Sequence, residues 1–366
     1  MKVLFRVDAS IDMGTGHVMR CLTLADSMAS QGAECYFICR EHVGNLIDTI
    51  RQRGHLTYSL ILYKEFSKIN NSSCDLKHSD WLGATQEEDA ILCSTIIKSI
   101  QPDWVVIDHY GLDFRWERIV KPYFKRLMII DDLADRKHEC NILLDQTLGR
   151  DKNDYIKLVP EFCELLCGAN NALLRPEFIY WREYSLKRRT NVGLRRILIN
   201  LGGVDKDNIT TMVLSYLEGS VLPSNCQITV VMGKTAPWVE NVRNQAALMK
   251  WKTEVKVGVE NMAELMANSD LAIGAAGSTS WERCCLGLPT IMLVLAENQI
   301  LGAEELERNK AVISLKTGKN MKLEIIKIIK KLRYKPSLLE EISISSRNIS
   351  DGSGSNIIVK KLMSFN

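Results

Sequence analysis

No apolar run in this 366-residue chain approaches the roughly 20 residues that a helix needs to cross a bilayer. The opening MKVLFRVDAS meets charged and polar residues too early for the apolar core of a secretory leader. A cytoplasmic location without stable membrane association is therefore expected. Charge of one sign is missing too. The 47 Lys and Arg stand against 44 Asp and Glu, a formal net charge of +3, so the composition carries no basic footprint for nucleic acid. Cysteine is plentiful but patternless. There are eleven, an odd number; Cys35 and Cys39, or Cys163 and Cys167, stand four apart, and Cys284 adjoins Cys285. None forms a CxxC pair, and no second pair shows zinc-site spacing. Reduced, mainly buried thiols and no metal are expected.

What is present is apolar material for two cores. The 46% hydrophobic and 25% charged content is ordinary for a globular protein, and the length exceeds that of a usual single domain. Short β runs alternate with amphipathic helices, the pattern of parallel sheets covered on both faces. The first half has β runs at 2–7, 35–39, 104–107, 127–130 and 142–144; the second has them at 196–201, 227–232, 271–273 and 290–295. Residues 64–90 are polar and mixed, as in a surface insertion or irregular loop, and the charged stretch 180–194 suits an inter-domain connection. The expected division is 1–180, 194–345 and a C-terminal helix within 346–366. Two doubly wound α/β halves in series collect ligands at the carboxyl ends of their strands, and the unusual residues sit there.

Gly14-Thr15-Gly16-His17 follows the first β run and opens a helix. Two glycines let the backbone approach an anion, and free N–H groups with the helix dipole favour negative charge. Met19 stands where a dinucleotide fingerprint would carry its third glycine. An imidazole at the first turn of a helix meets the positive dipole end, which disfavours the imidazolium. His17 is thus a candidate proton acceptor, or else a ring satisfied by hydrogen bonds. Gly274 to Thr279, with Trp281-Glu282 beyond, makes a second strand-to-helix cradle suited to a diphosphate. Glu282 could accept bonds from ribose hydroxyls, cap the helix with Thr279, or lie solvated. Asp108-His109-Tyr110 and Asp131-Asp132 could be metal ligands or acid–base groups. For Asp131 and Asp132 capping, or pairing with Arg136, is the expected role, while Tyr110 stays open. The segment 316–335 carries eight basic residues among apolar ones and reads as a core helix with a cationic outer face.

Six segments taken in order resemble a known family. They are RVDASIDMGTGHVMRCLTLA (6–25), VVIDHYGLD (105–113), DDLADRKHECNILLDQ (131–146), LLRPEF (173–178), LINLGGVDKDN (198–208) and AIGAAGSTSWERCCLGLPTIMLVLAENQ (272–299). The chain is similar to the UDP-2,4-diacetamido-2,4,6-trideoxy-β-L-altropyranose hydrolases (PseG) of pseudaminic acid biosynthesis, in the MurG-like glycosyltransferase-B superfamily. The resemblance implies two Rossmann-like domains facing a cleft, with His17 as the base that activates water. It places Tyr110 and Asn298 toward the sugar or the water, within a substrate-side set of Gly14, Gly16, Arg20, Tyr110, Gly202, Asn298 and Gln299. It places UDP on Gly277, Ser278, Thr279 and Glu282. The implied reaction is hydrolysis of a UDP-sugar by C–O cleavage with inversion, without a cofactor or metal. A GT-B glycosyltransferase or a sugar-nucleotide epimerase using a UDP-sugar is the alternative. The chain is longer than compact members of the family.

Overall fold

The computed structural model describes residues 1–62, 76–190 and 193–365; residues 64–75 of the segment expected as a surface insertion, 64–90, lie outside the described residues. The chain divides into two compact units, Met1–Leu173 with Ser355–Asn366, and Leu174–Gly354.

The first unit is a seven-stranded sheet. Its strands are β1 (Lys2–Val7), β2 (Glu34–Arg40), β3 (Leu56–Leu60), β4 (Trp104–Asp108), β5 (Arg126–Ile130), β6 (Ile142–Asp145) and β7 (Glu164–Cys167). They run parallel in the order β3-β2-β1-β4-β5-β6-β7. Four helices, α1 (Gly16–Ala29), α2 (Ile47–Gln52), α3 (Gln86–Ile100) and α4 (Phe114–Val120), connect the first five strands. Alternation within β1 explains the layering. Val3, Phe5 and Val7 join Val18, Leu22 and Ala25 of α1 in one core. Leu4 joins Ala90 and Ile97 of α3 and Trp116 of α4 in the other. A parallel sheet buried on both faces reads as continuous apolar strands, which is why β1 and β4 were legible. Helix α3 starts at a reciprocal capping box between Thr85 and Glu88.

The second unit repeats the plan with six parallel strands. They are β8 (Arg196–Asn200), β9 (Gln227–Met232), β10 (Lys252–Val257), β11 (Leu271–Ala275), β12 (Thr290–Val294) and β13 (Ile313–Lys316), in the order β10-β9-β8-β11-β12-β13. Its helices are α5 (Pro176–Arg188), α6 (Ile209–Leu217), α7 (Val239–Leu248), α8 (Met262–Ala267), α9 (Thr279–Cys285), α10 (Ile300–Arg308), α11 (Met321–Tyr334) and α12 (Ser337–Arg347). Helix α11 is the basic segment: Met321, Ile325, Ile329 and Leu332 are buried in the core with Leu217 and Leu315. Among the described residues no helix is long and apolar enough to cross a membrane.

Two stretches differ from expectation. The charged run from residue 180 onward forms much of α5, and its arginines close helix ends of the second unit. Arg189 donates to the carbonyls of Leu286 (2.9 Å), Ser269 (2.8 Å) and Met266 (3.0 Å), where carbonyls are left without helical partners. The last helix, α13 (Gly354–Ser364), returns to the first sheet, burying Ile358, Val359 and Leu362 against it. Trp104 Nε1 donates to the Leu362 carbonyl at 3.2 Å. Of the ten described cysteines, all free, eight are buried.

Candidate functional site

In the first unit the strand order reverses between β1 and β4, the switch point where doubly wound sheets bind ligands. The register pairs Val7 with Asp108, so both strands end together there. After β1 the chain turns tightly. The Ser10 hydroxyl accepts the N–H groups of Asp12 (3.2 Å) and Met13 (3.0 Å), and the Ser10 carbonyl accepts Gly14 N–H at 2.9 Å. Gly14 adopts φ +77°, a left-handed conformation costly for a residue with a Cβ. Gly16 opens α1, and His17 stands in its first turn.

His17 Nδ1 lies 2.6 Å from Asp108 Oδ1. Asp108 is fully buried and His17 is 9% exposed. Burial works against ionising Asp108, but the Arg20 guanidinium and His17 hold it well below the usual carboxylate range. A carboxylate accepts only, so Nδ1 is the protonated nitrogen and Nε2 carries the free lone pair of the neutral ring. Arg20 grips Asp108 through Nε (2.5 Å) and Nη2 (2.7 Å) and reaches Asp132 through Nη1 at 2.7 Å. The Tyr110 hydroxyl donates to Asp132 at 2.9 Å, and its ring stands edge-on to His17, 4.6 Å between centroids. Arg20, Asp108 and Asp132 together carry one net negative charge beside His17, complementary to an imidazolium formed when the ring takes a proton.

Gly14, Gly16, His17, Arg20 and Tyr110 are thus brought together. Arg20 and Tyr110, expected on the substrate side, point their polar groups at Asp108 and Asp132. Asp131 pairs with Arg136 at 2.9 Å, as expected, whereas Asp132 faces Arg20. The His17–Asp108 pairing was missed; its one sequence signal was that each residue follows an apolar run in a doubly wound pattern. His109 belongs to a separate buried group, with Nε2 3.3 Å from Asp8. Among the described residues no group of three or more His, Cys, Asp or Glu could hold a metal ion.

In the second unit the order reverses between β8 and β11. Gly202 (φ +96°) follows β8, the segment Ala276–Ser278 follows β11, and the turn Glu297–Gln299 follows β12, so all three line neighbouring strand ends. The Ser280 and Trp281 N–H groups bond to the Gly277 and Ser278 carbonyls. Among the described residues the Gly277, Ser278 and Thr279 N–H groups take no backbone acceptor, which leaves three donors at one strand end. The α9 start has no side-chain cap, so Glu282 is not in a capping box with Thr279. The Glu282 side chain is 17% exposed and 3.9 Å from Arg175. Burial raises its pKa, with Arg175 opposing. Asn298 is exposed, while Gln299 Oε1 accepts the Leu295 N–H at 2.9 Å. Sequence reading also passed over Arg283. This buried side chain lies under the loop, donating to Thr279 Oγ1 (3.0 Å), the Ala275 carbonyl (2.6 Å) and Ser280 Oγ (3.1 Å).

Residues 197–352 match the glycosyltransferase family 28 C-terminal domain. Over its length the chain is similar in fold to Acinetobacter baumannii MurG, with TM-score 0.67, 15% identity, and coverage of 100% of this chain and 99% of that one. It is 28% identical over 278 residues to the UDP-2,4-diacetamido-2,4,6-trideoxy-β-L-altropyranose hydrolase of Campylobacter jejuni, covering 76% of this chain and 86% of that protein. The chain is thus similar in sequence to the altropyranose hydrolase and in fold to MurG. It is also 26% identical to the uncharacterized protein MJ1062 of Methanocaldococcus jannaschii, over 82% of this chain. That match spans 57% of the archaeal protein's length. With its two doubly wound sheets, the protein has the two-domain α/β fold of the GT-B superfamily.

Proposed function

We propose that this protein hydrolyses a UDP-sugar, UDP-2,4-diacetamido-2,4,6-trideoxy-β-L-altropyranose, to UDP and the free sugar. The observation that carries the reading is the His17–Asp108 pair, which leaves Nε2 of a buried imidazole as the available base at a ligand-binding strand end. Nε2 takes a proton from water as the water oxygen bonds to the anomeric carbon and the carbon–oxygen bond to UDP breaks. Attack opposite the leaving group inverts the anomeric centre. Asp108 keeps the ring oriented and offsets the imidazolium charge as it forms. UDP departs as an anion and accepts the N–H groups of Gly277, Ser278 and Thr279, so no second carboxylic acid is needed to protonate it. Glu282, 3.9 Å from Arg175, accepts the ribose hydroxyls.

The similarity to the C. jejuni hydrolase supports the choice of substrate. Turnover in ¹⁸O-labelled water tests the reaction: label in the free sugar is expected, and label in UDP would overturn C–O cleavage. The family 28 match favours one other reading, a glycosyltransferase. UDP release that depends on an added sugar or lipid acceptor would establish it, whereas hydrolysis proceeds without one. An epimerase would return an epimerised UDP-sugar.

A further inference from the structure

Residues 76–83 form a built feature next to His17. Leu82 is buried in the core with Leu112 and Trp116. Gly83 takes φ +67°, and a Cβ there would meet Leu62 Cδ1 at 2.6 Å. At Gly111 a Cβ would come within 3.1 Å of the His78 carbonyl, so the missing side chain lets the segment settle on the loop after β4. The 3-10 turn Ser79–Leu82 is therefore held at both ends.

This turn presents two aromatic rings. Trp81 stacks on Tyr110, with 5.6 Å between centroids and 24° between planes. His78 lies 4.5 Å from Trp81 and 5.4 Å from Tyr110. Trp81 meets His17 edge-on at 6.3 Å. Tyr110 is 3% exposed, whereas Trp81 and His78 are half-buried and keep ring surface open to a ligand. Burial lowers the His78 pKa and the Lys77 charge adds to it, which favours an uncharged ring. Elsewhere His17 meets Asp108 and Arg20.

A trideoxy, diacetamido sugar brings methyl groups to this place, at C6 and on its acetamides, and methyl groups gain from an aromatic wall. Resting on the hydrolase reading above, we infer that Trp81, backed by Tyr110 and His78, is the wall that receives the C6 methyl group. It makes the site selective for a 6-deoxy sugar over its 6-hydroxy counterpart. An apolar pocket discriminates against an added hydroxyl by roughly a hundredfold.

The test uses two UDP-sugars that differ only in a methyl or hydroxymethyl group at C5. Their kcat, KM and calorimetric Kd are measured for wild type, Trp81→Ala, Trp81→Phe and Trp81→Gln. The expected result is a wild-type preference for the 6-deoxy sugar of about ten- to a hundredfold, nearly lost in Trp81→Ala and Trp81→Gln and kept in Trp81→Phe. The loss should fall on KM and Kd more than on kcat, and Kd for UDP alone should not move. An unchanged preference in a folded Trp81→Ala or Trp81→Gln overturns the inference, as does a wild type that binds both sugars equally. If the wild type binds the sugars without hydrolysing them, the hydrolase reading fails, yet the Kd ratio still decides the role of Trp81.

Discussion

His17 Nδ1 and Asp108 Oδ1 lie 2.6 Å apart, although 91 residues separate them in the chain. Arg20 holds both oxygens of the same carboxylate. The carboxylate is thereby fixed in place and in charge, and it dictates which imidazole nitrogen carries the proton. Replacing Asp108 by Asn keeps the shape but removes the charge. The expected outcome is a fall in kcat of about 10²–10⁴-fold with Kd for UDP within about twofold of wild type. Steady-state kinetics and calorimetry check it.

His17→Asn removes the base itself. Turnover should drop to background while UDP binding persists, because the residues proposed to hold UDP all lie in the other unit. A near wild-type kcat would sink the assignment of His17.

Acid stability should depend on a different buried cluster. Burial opposes ionising Asp89, but Arg6 and Arg40 override it and take the carboxyl from 3.8 to about 2. The folded value lies below the unfolded one, so the contribution is fully present above about pH 4 and is lost as pH falls through 2. It amounts to about 2 kcal/mol. Asp89→Asn should abolish this share of the acid dependence. At neutral pH it should cost about 3–5 kcal/mol, because Arg40 loses its carboxylate and Arg6 is left with Asp8 alone of its two. Urea titrations between pH 7 and about pH 1.5 measure both effects.

At Gly233 a Cβ would stand 2.0 Å from the Gly203 carbonyl oxygen, a backbone atom that moves only with its loop. Gly233→Ala should therefore push away the loop after β8 and destabilise the second unit by about 1–3 kcal/mol or more. UDP should bind more weakly in parallel, as read by denaturant titration and calorimetry.

Arg283 tests the proposed UDP loop from beneath. Burial lowers its pKa to about 10, which leaves it charged at neutral pH. Arg283→Met strands the Ala275 carbonyl and releases Thr279, at a cost of about 1–3 kcal/mol in stability. Kd for UDP should rise about tenfold. Unaltered UDP affinity in a folded variant would place UDP elsewhere.

The strands that escaped sequence reading are β3, β7, β10 and β13, and all four are sheet edges. Edge strands are buried on fewer sides and carry polar residues that discourage pairing with other chains. The β10 segment KTEVKV and the β3 segment LTYSL accordingly lack the unbroken apolar run of β4, WVVID. Helix α5 was obscured for a related reason. Its arginines look like solvated charge in the sequence, yet Arg189 is 6% exposed because helix-end carbonyls take up its donors.

Local physics in the sequence determined much of this protein: the alternation that makes inner strands, the glycine turns after β1 and β11, and the placing of His17 and Thr279 at helix starts. Those features depend on neighbours within a turn or two of chain. Which strand lies beside which is settled by packing two faces of a sheet at once, and no local period records it. Only the tertiary structure put β4 next to β1 and so set Asp108 against His17. It also aimed Arg20 and Tyr110 at carboxylates, seated Trp81 beside the imidazole, and brought the last helix back to the first sheet.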